Sequence, residues 1–263
     1  MLSRIYAKAT FAFYQGRGGI LRRSRIQHNG TRFTMSTRTG EETHRAVTFS
    51  NKEPETLAWI DSFVGDRPVF YDVGANVGVY SLYCKARHPE SQIYSFEPEA
   101  QSFASLCRNI AMNRFRQIQP FQIAVAGKTG LGTLYVASLS SGAGASALES
   151  EYQFLDARGG GFEQGIFHLS LDAMVNQFGL ARPNYLKIDV DGLEEQILAG
   201  AADLLSAPEL RGLLVEFQYR DEAEIEQPIA RLKALGLELA ERSDWVSSAA
   251  GLNSRNFIFA RSA

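Results

Sequence analysis

Hydrophobic positions along this chain form either short apolar runs or stripes at helical spacing, and after residue 68 these two patterns alternate. Short apolar runs are typical of parallel strands covered on both faces, and apolar stripes at helical spacing predict the helices between them. This alternation predicts a doubly wound α/β fold with a mostly parallel seven-stranded sheet, in which the last two strands form an antiparallel hairpin. The predicted strands are Val69–Val73, Ile93–Phe96, Phe121–Val125, Tyr185–Val190, Leu213–Phe217, Leu237–Ala240 and Phe257–Ala260.

Residues that cap or interrupt helices mark the predicted helix boundaries. Pro54 opens a helix with Leu57 and Ile60 on one side, and Ser170 is a predicted N-cap. Gly236 is a predicted C′ glycine, because glycine adopts the left-handed conformation that ends many helices. The other predicted helices cover residues 78–87, 99–113, 193–199 and 228–235.

Two stretches interrupt the alternation and predict small β-structures. Thr31–Met35 and Ala46–Phe49, with Thr39 and Gly40 between them, predict a β-hairpin ahead of the core. Gly127–Val136 predicts a second hairpin after the third core strand.

A further stretch, residues 138–165, is rich in Ser, Gly and Ala and includes Gly159–Gly161. Such a composition is typical of irregular structure. It fits either a flexible loop over the active site or an ordinary surface excursion.

Length and charge predict a basic N-terminal arm over residues 1–50 and one domain over residues 51–263. Residues 1–47 hold nine Lys or Arg against Glu41 and Glu42, a net charge of +7. The arm is a candidate for peripheral contact with anionic lipid headgroups, with a phosphorylated substrate or with an acidic face of its own domain. A solvated arm and a transit peptide are the alternative interpretations.

Cysteine content and hydropathy limit the class of protein. Cys84 and Cys107 are too few for a disulfide framework or a thiolate metal cage, which favours a reducing compartment and a cytoplasmic location. No run approaches the roughly 18 consecutive apolar residues that a membrane-spanning helix needs, so we expect no transmembrane segment.

A glycine-containing turn between the first core strand and the next helix predicts a nucleotide-type cofactor site. Glycine permits positive φ angles and a close approach of the backbone, and the helix N-terminus suits a carboxylate or phosphate. A dinucleotide fold requires G-x-G-x-x-G, whose second and third glycines are missing here. Glu97, after the second strand, is placed to accept hydrogen bonds from both ribose hydroxyls. The predicted cofactor-binding residues are Asp72, Gly74, Ala75, Asn76, Gly78, Glu97 and Ala124.

Four segments in this order resemble the FkbM-type methyltransferases: Asp72–Gly78, Phe96–Pro98, Lys187–Gly192 and Leu213–Glu216. The resemblance runs from about residue 68 to the C-terminus and leaves residues 1–50 uncovered. It implies a class I, Rossmann-like methyltransferase fold and S-adenosyl-L-methionine as cofactor. It also implies methylation of hydroxyl groups, often on the sugars of glycans or on secondary metabolites.

Carboxylates follow several predicted strands at the edge of the sheet where ligands of α/β folds bind. Asp189 is the predicted general base for an acceptor hydroxyl, with Glu216 or His168 as its helper. Lys187 alternates with Asp189 on one side of the strand and is a candidate ion partner. Asp191 is either an N-cap or, with Asp189, a ligand of Mg²⁺; since a metal normally takes more ligands than this spacing offers, we expect none.

Other classes of function remain open at this point. Methyltransferases of nucleic acids and amines are expected to carry an Asn/Asp-Pro-Pro-aromatic tetrapeptide, and this chain has no adjacent prolines, so we expect no nucleic-acid partner. A catalytically inactive cofactor-binding subunit and a nicotinamide-dependent oxidoreductase are the alternatives. The sequence names neither the acceptor nor the oligomeric state.

Overall fold

The computed structural model describes residues 23–136, 138–143, 146–148, 162–190, 192–219, 221–244, 246–247 and 253–261. Its strands are β1 (Arg23–His28), β2 (Thr31–Ser36), β3 (Val69–Val73), β4 (Gln92–Phe96), β5 (Ile118–Phe121), β6 (Ala124–Val125), β7 (Gly130–Val136), β8 (Ser146–Leu148), β9 (Phe162–Leu169), β10 (Tyr185–Ile188), β11 (Gly212–Tyr219), β12 (Leu237–Arg242), β13 (Val246–Ser247) and β14 (Asn253–Arg261). Its helices are α1 (Gly40–Lys52), α2 (Pro54–Asp61), α3 (Val79–Arg87), α4 (Ala100–Asn113), α5 (Leu171–Asn176), α6 (Glu194–Ala199), α7 (Ala202–Ser206) and α8 (Ala223–Ala234).

The main sheet has the strand order β12-β14-β11-β10-β3-β4-β5, and the short β13 pairs with β14. Strands β5, β4, β3, β10 and β11 are parallel, whereas β14 runs antiparallel to both β11 and β12. The predicted doubly wound sheet of seven strands is therefore confirmed, with β13 added at its edge. The chain turns in opposite directions from β3 and β10, so their carboxyl ends form the topological switch point where α/β folds bind ligands.

The predicted third strand, Phe121–Val125, is wrong as one unit. Phe121 ends β5 and stacks on Phe96 of the main sheet at a centroid distance of 5.7 Å. Ala124 and Val125 instead pair with His168 and Leu169 in a separate four-stranded sheet of order β6-β9-β7-β8. The segment resembles one strand because apolar residues of two different sheets follow each other closely, with partly buried Phe121 in one and buried Ala124 and Val125 in the other.

The predicted hairpin at Gly127–Val136 is also wrong. Gly130–Val136 is a single strand, β7, and its partners are β8, the next strand along the chain, and the more distant β9. Of the Ser/Gly/Ala-rich stretch, residues 138–143 are irregular and residues 162–165 belong to β9. Gly159–Gly161 lie outside the described residues, as do Asp191 and residues 1–22.

The predicted N-terminal hairpin exists, but it is formed by other strands. It joins β1 to β2 through Asn29 and Gly30, whose φ angles of 42° and 76° are those of a tight hairpin turn. Ala46–Phe49 lies in α1, where the Thr39 side chain caps the helix by accepting a hydrogen bond from the Glu42 N–H. The Thr39-x-x-Glu42 spacing is a capping signal that overrides the apparent alternation.

The hairpin and α1 pack against one face of the main sheet. Phe33 and Phe49 contact each other edge to face at 5.2 Å, and Phe49 contacts Tyr83 of α3 at 5.4 Å. Ile26 and Met35 are buried in the same cluster, which continues to the β-strands of that face. Residues 23–52 are thus packed on the domain rather than extended from it.

Among the remaining helices α7 was not predicted, and the others follow the predicted boundaries with one exception. Ser170 caps α5 by accepting from the Ala173 N–H, and Gly236 has a φ of 79° after α8. The predicted start of α8 at Pro228 is wrong, because Asp221 accepts hydrogen bonds from the Ala223 and Glu224 N–H groups and starts the helix earlier. None of the helices in the described ranges is long and apolar enough to cross a membrane.

Candidate active site

The turn after β3 is fixed by three residues with positive φ. Gly74, Asn76 and Gly78 have φ angles of 78°, 51° and 87°, and Gly78 is the N-cap of α3. A Cβ on Gly74 would lie 1.9 Å from the carbonyl oxygen of Asp189, and a Cβ on Gly78 would lie 2.4 Å from a methyl group of Leu106. Both glycines are required by the backbone conformation and by the close approach of neighbouring parts of the protein.

Asp72, at the end of β3, is fully buried and only half satisfied. Its Oδ2 accepts a hydrogen bond from Ser81 Oγ at 2.5 Å, while its Oδ1 has no hydrogen-bond partner within the described part of the chain. Burial raises the pKa of Asp72, and the ammonium group of Lys187 opposes that shift. A buried carboxylate oxygen without a donor fits a cationic ligand group such as an ammonium.

Glu97 follows β4 and lies beside the same turn. Its two oxygens accept hydrogen bonds from the backbone N–H of Asn76 at 2.7 Å and of Glu99 at 2.8 Å. Each carboxylate oxygen keeps a further acceptor position, which suits a pair of hydroxyls. Burial raises the pKa of Glu97 to about 7. Asp72, the glycine turn and Glu97 therefore fit a ligand that carries an ammonium group and a vicinal diol.

Residues 138–143, which we name the strap, pass over the turn. Asn76 Nδ2 donates to the carbonyl of Ala143 at 2.9 Å, and Arg45 Nε donates to the carbonyl of Gly142 at 2.8 Å. The N–H of Gly142 also donates to Ser102 Oγ at 3.3 Å. The strap thus connects the predicted cofactor turn with α4 and with the N-terminal helix α1.

Glu42 anchors the strap, and sequence reasoning did not identify it. This fully buried carboxylate accepts hydrogen bonds from the hydroxyls of Ser36 and Ser105, each at 2.6 Å, from Ser141 Oγ at 2.5 Å and from the Arg38 N–H at 2.7 Å. Burial opposes its ionisation, but these bonds lower its pKa overall. Its capping-box position in the sequence was a signal for the helix start and not for this cluster.

The end of β10 and the middle of the neighbouring strand β11 bring the predicted catalytic carboxylates together. Asp189 follows β10 with a side chain that is 27% exposed, and Lys187 Nζ contacts its Oδ2 at 2.5 Å. Burial raises the pKa of Asp189, but the Lys187 ammonium outweighs it and lowers that pKa well below its usual range. Glu216 is hydrogen-bonded to Asp189, and burial together with the Asp189 charge raises the pKa of Glu216 to about 9. The pKa values of the two carboxyl groups are thus shifted in opposite directions, towards ionisation of Asp189 and protonation of Glu216.

Three residues that sequence reasoning did not identify extend this cluster. Glu53 is buried between α1 and α2, pairs with Lys52 at 2.5 Å and accepts a hydrogen bond from the Tyr80 hydroxyl. Lys187 Nζ lies 4.8 Å from the centre of the Tyr80 ring. Lys52 and Glu53 are far from Asp189 in the sequence, and no local motif signals their approach.

Two predicted site residues belong to the second sheet. Ala124 is buried in β6, where it pairs with His168 of β9 in the second sheet. His168 is buried rather than on the surface, and its Nδ1 is hydrogen-bonded to the Lys128 carbonyl at 2.7 Å. Across the residues with described positions, no group of three or more His, Cys, Asp or Glu side chains is arranged to hold a metal ion.

Comparison with known proteins identifies relatives of this chain. The model of the methyltransferase FkbM domain matches residues 72–239. The 31-O-demethyl-FK506 methyltransferase FkbM of Streptomyces tacrolimicus is 29% identical over 197 residues, which cover 67% of this chain and 75% of that protein. Methyltransferase sdnD of Sordaria araneosa is 29% identical over 157 residues, which cover 51% of this chain and 60% of that protein.

A solved structure with a similar fold is that of Trm5b from Pyrococcus abyssi. It superimposes with a TM-score of 0.52 at 10% identity and covers 93% of this chain and 57% of its own, a similarity of fold alone. The family match spans more than half of the chain and includes the glycine turn, Glu97, Lys187, Asp189 and Glu216. The chain belongs to the FkbM family of S-adenosyl-L-methionine-dependent methyltransferases.

Proposed function

We propose that the chain is an O-methyltransferase that methylates a hydroxyl group of a sugar, a glycan or a secondary metabolite. The observation that carries the proposal is the Asp189 side chain: a partly exposed carboxylate next to the glycine turn, held at 2.5 Å by the buried ammonium group of Lys187. The Streptomyces tacrolimicus relative is named as a methyltransferase of 31-O-demethyl-FK506. A hydroxyl acceptor needs a nearby proton acceptor, and Asp189 has that position.

The cofactor would be held by the residues around the turn. Asp72 Oδ1 would accept from the ammonium group of S-adenosylmethionine, Glu97 would accept from the ribose hydroxyls, and the N-terminus of α3 would favour the carboxylate. Gly74, Ala75, Asn76 and Gly78 would contribute backbone to this site, and Ala124 is proposed as a further contact of the cofactor. When bound, the cofactor supplies a methyl group on a positively charged sulfur, with a neutral thioether as the leaving group.

Asp189 would take the proton that the acceptor hydroxyl loses. As the acceptor oxygen took up the methyl group that the cofactor supplies, the hydroxyl proton would pass to a carboxylate oxygen of Asp189. A carboxylate of low pKa is a weak base for a free alcohol. It is strong enough once the oxygen begins to bond to carbon, because that oxygen then becomes acidic. Alignment of the two reactants therefore supplies much of the rate, as expected for a reaction between preformed partners.

Glu216 would orient the base rather than act as a second base. Because its pKa is about 9, Glu216 stays protonated at neutral pH and donates its proton to a hydrogen bond with Asp189. One Asp189 oxygen is bonded to Lys187, so the carboxylate is held from two sides. This arrangement leaves a single ionised carboxylate to face the acceptor.

The proposal also includes the class of acceptor and the cellular compartment. We propose a small-molecule or glycan acceptor rather than a nucleic acid, since the chain lacks the adjacent prolines expected of nucleic-acid methyltransferases. The free thiols of Cys84 and Cys107 support a reducing compartment such as the cytoplasm.

The proposal is tested by the chemical identity of the product. The full chain is incubated with S-adenosylmethionine carrying a ¹³C-labelled methyl group and a panel of sugars, oligosaccharides, hydroxylated polyketides, amines and transfer RNA. We expect a ¹³C signal of a methyl ether on one class of hydroxyl compound, and its loss in Asp189→Asn but not in the exposed control variant Asp66→Asn. Methylation confined to nitrogen or to transfer RNA would contradict the proposal.

A further inference from the structure

Lys187 is a buried cation between Asp72, an acid of the predicted cofactor site, and Asp189, the proposed base. Its side chain is 1% exposed, and it lies in the middle of β10, where it is in register with Asp72 of the parallel strand β3. Strand β3 therefore carries Asp72, the acid of the predicted cofactor site, and its neighbour β10 carries Lys187. Within the described residues, Lys187 has the only ammonium group that is buried beside Asp72.

The Asp72 side of this arrangement lacks a full set of hydrogen bonds. Ser81 Oγ binds Oδ2, and Oδ1 has no donor among the residues whose positions are described. Lys187 attracts the Asp72 carboxylate electrostatically across the strand pair, while Nζ makes its hydrogen bond to Asp189. A buried carboxylate in this position needs a nearby cation in order to remain ionised.

The Asp189 side holds the direct contact. Lys187 Nζ lies 2.5 Å from Asp189 Oδ2 and 4.8 Å from the Tyr80 ring centre. Tyr80 is itself held by its hydrogen bond to Glu53. Other charged or titratable groups lie around the two acids that Lys187 serves. Glu53, Lys52 and Glu216 lie near Asp189, and Cys84 lies near Asp72.

We propose that Lys187 is a positioning residue shared by Asp72 and Asp189, so that one buried ammonium group prepares both cofactor binding and proton acceptance. This inference rests on the proposed function, because it assigns Asp72 to the cofactor ammonium and Asp189 to the acceptor hydroxyl. Lys187 touches neither reactant. Its charge keeps Asp72 ionised with one oxygen free, and its hydrogen bond to Oδ2 fixes Asp189.

Loss of the ammonium group has a defined effect on cofactor binding. Without Lys187, burial favours the neutral form of Asp72, which then binds an ammonium group poorly. Each unit by which the pKa of Asp72 exceeds the working pH lowers its ionised fraction about tenfold. Binding of S-adenosylmethionine is therefore expected to weaken, and to recover in part as the pH rises.

The test is a calorimetric titration of S-adenosylmethionine into Lys187→Met and into a matched control, Lys85→Met. Lys85 is also a buried lysine, but it donates to the Ser91 carbonyl at 2.6 Å and to Gln117 Oε1 at 2.9 Å, away from both acids. We expect Lys187→Met to bind at least about tenfold more weakly than Lys85→Met near pH 7, with the ratio narrowing from about pH 6 to pH 8. Equal affinities, or a ratio that does not change with pH, would overturn the inference.

A second variant keeps the test decisive if Lys187→Met does not fold. Asp72→Asn replaces the carboxylate by a neutral group of the same shape in a protein that retains Lys187. If Lys187 keeps Asp72 ionised, Asp72→Asn binds the cofactor at least about tenfold more weakly near pH 7 than the wild-type protein does. Unchanged affinity would show that Asp72 was already neutral and would overturn the inference. Failure of the wild-type protein to bind S-adenosylmethionine at all would instead contradict the proposed function.

Discussion

The carbonyl oxygen of Asp189 lies 1.9 Å from the point where a Cβ atom on Gly74 would be. The backbone of the turn that forms the predicted cofactor site therefore touches the backbone of the residue that we propose as the base. The N–H of Asp189 also donates to the carbonyl of Val73 at 3.1 Å. The two functional residues are consequently fixed relative to each other by main-chain contacts at the switch point of the sheet.

This contact predicts a severe effect of Gly74→Ala. The added methyl group would collide with the Asp189 carbonyl, and the φ of 78° adds strain for any L-residue. We expect the free energy of unfolding to fall by about 3 kcal/mol or more. Urea unfolding of the purified variant measures this change.

Gly179→Ala is the matched control. Gly179 has a similar φ of 70°, and no atom lies within 4 Å of the position of its Cβ. We expect a loss of only about 1–2 kcal/mol, the cost of the left-handed conformation alone. Equal losses of unfolding free energy in the two variants would show that the close contact of Gly74 with Asp189 adds nothing to the cost of the substitution.

Local patterns in the sequence predicted most of the elements that form this switch point. Val69–Val73 matches β3 without change, because an apolar run of strand length between polar segments has few alternatives. The pattern failed where burial came from distant partners, as for Ala124 and Val125, which pair with β9. It also failed at Ala46–Phe49, where a capping residue and tertiary packing outweighed alternation.

The candidate site was predicted in part for the same reason. Glu97 and Asp189 directly follow β4 and β10, whereas Asp72 and Glu216 lie within β3 and β11. The topology of a doubly wound sheet brings these neighbouring strands, and so the four carboxylates, to one part of the sheet. Glu42 and Glu53 come from helices ahead of the first core strand, and only the tertiary structure places them near the site. Their roles depend on contacts with residues that are remote in the sequence.

The Glu216 carboxyl group predicts a pH dependence of stability. Its pKa is raised to about 9 in the folded protein, so between the usual glutamate range and about pH 9 the folded state binds a proton that the unfolded state has lost. The free energy of unfolding should therefore fall as the pH rises through this window. Glu216→Gln removes the titrating group and should reduce that fall.

Urea unfolding at several pH values measures this difference, with Glu238→Gln as the control on the exposed strand β12. The control should keep the pH dependence of the wild-type protein. If Glu216→Gln and the wild-type protein show parallel stability curves, Glu216 is ionised in the folded state, and its assignment as the protonated partner is wrong.

Glu42→Gln should weaken the attachment of the strap. An ionised carboxylate accepts hydrogen bonds from all four of its donors, whereas an amide offers one acceptor oxygen and turns an NH₂ group toward the hydroxyls of Ser36, Ser105 or Ser141. We expect a loss of about 2 kcal/mol in the free energy of unfolding near neutral pH. The hydrogen bonds to Glu42 outweigh the effect of burial and lower its pKa. The greater stability of the wild-type protein over Glu42→Gln should therefore disappear as the pH falls below the usual glutamate range.

Glu41→Gln provides the comparison for this experiment. Glu41 lies next to Glu42 in α1 and accepts a hydrogen bond from Ser140 Oγ of the same strap at 2.6 Å, but it is only half-buried. We expect a much smaller loss of stability. A loss as large as that of Glu42→Gln would assign the anchoring to the strap as a whole rather than to the buried carboxylate.

Asp189→Asn should separate catalysis from cofactor binding. The contact with Gly74 is made by the backbone and persists in the variant, so the turn keeps its shape. We expect kcat to fall about 10²–10⁴-fold, the usual contribution of a positioned general base, while the Kd for S-adenosylmethionine changes little. Steady-state rates and calorimetric binding on the same sample provide both values; a parallel loss of binding and rate would instead indicate a structural role.

The most direct test of the account is a calorimetric titration of S-adenosylmethionine into the wild-type chain and into the double variant Asp72→Asn/Glu97→Gln, with NAD as a second ligand. We predict that the wild-type protein binds S-adenosylmethionine at one site, that the folded double variant loses this binding, and that neither protein binds NAD. Binding of NAD without S-adenosylmethionine, or equal binding of S-adenosylmethionine by both proteins, would contradict the assignment of the cofactor site to Asp72 and Glu97.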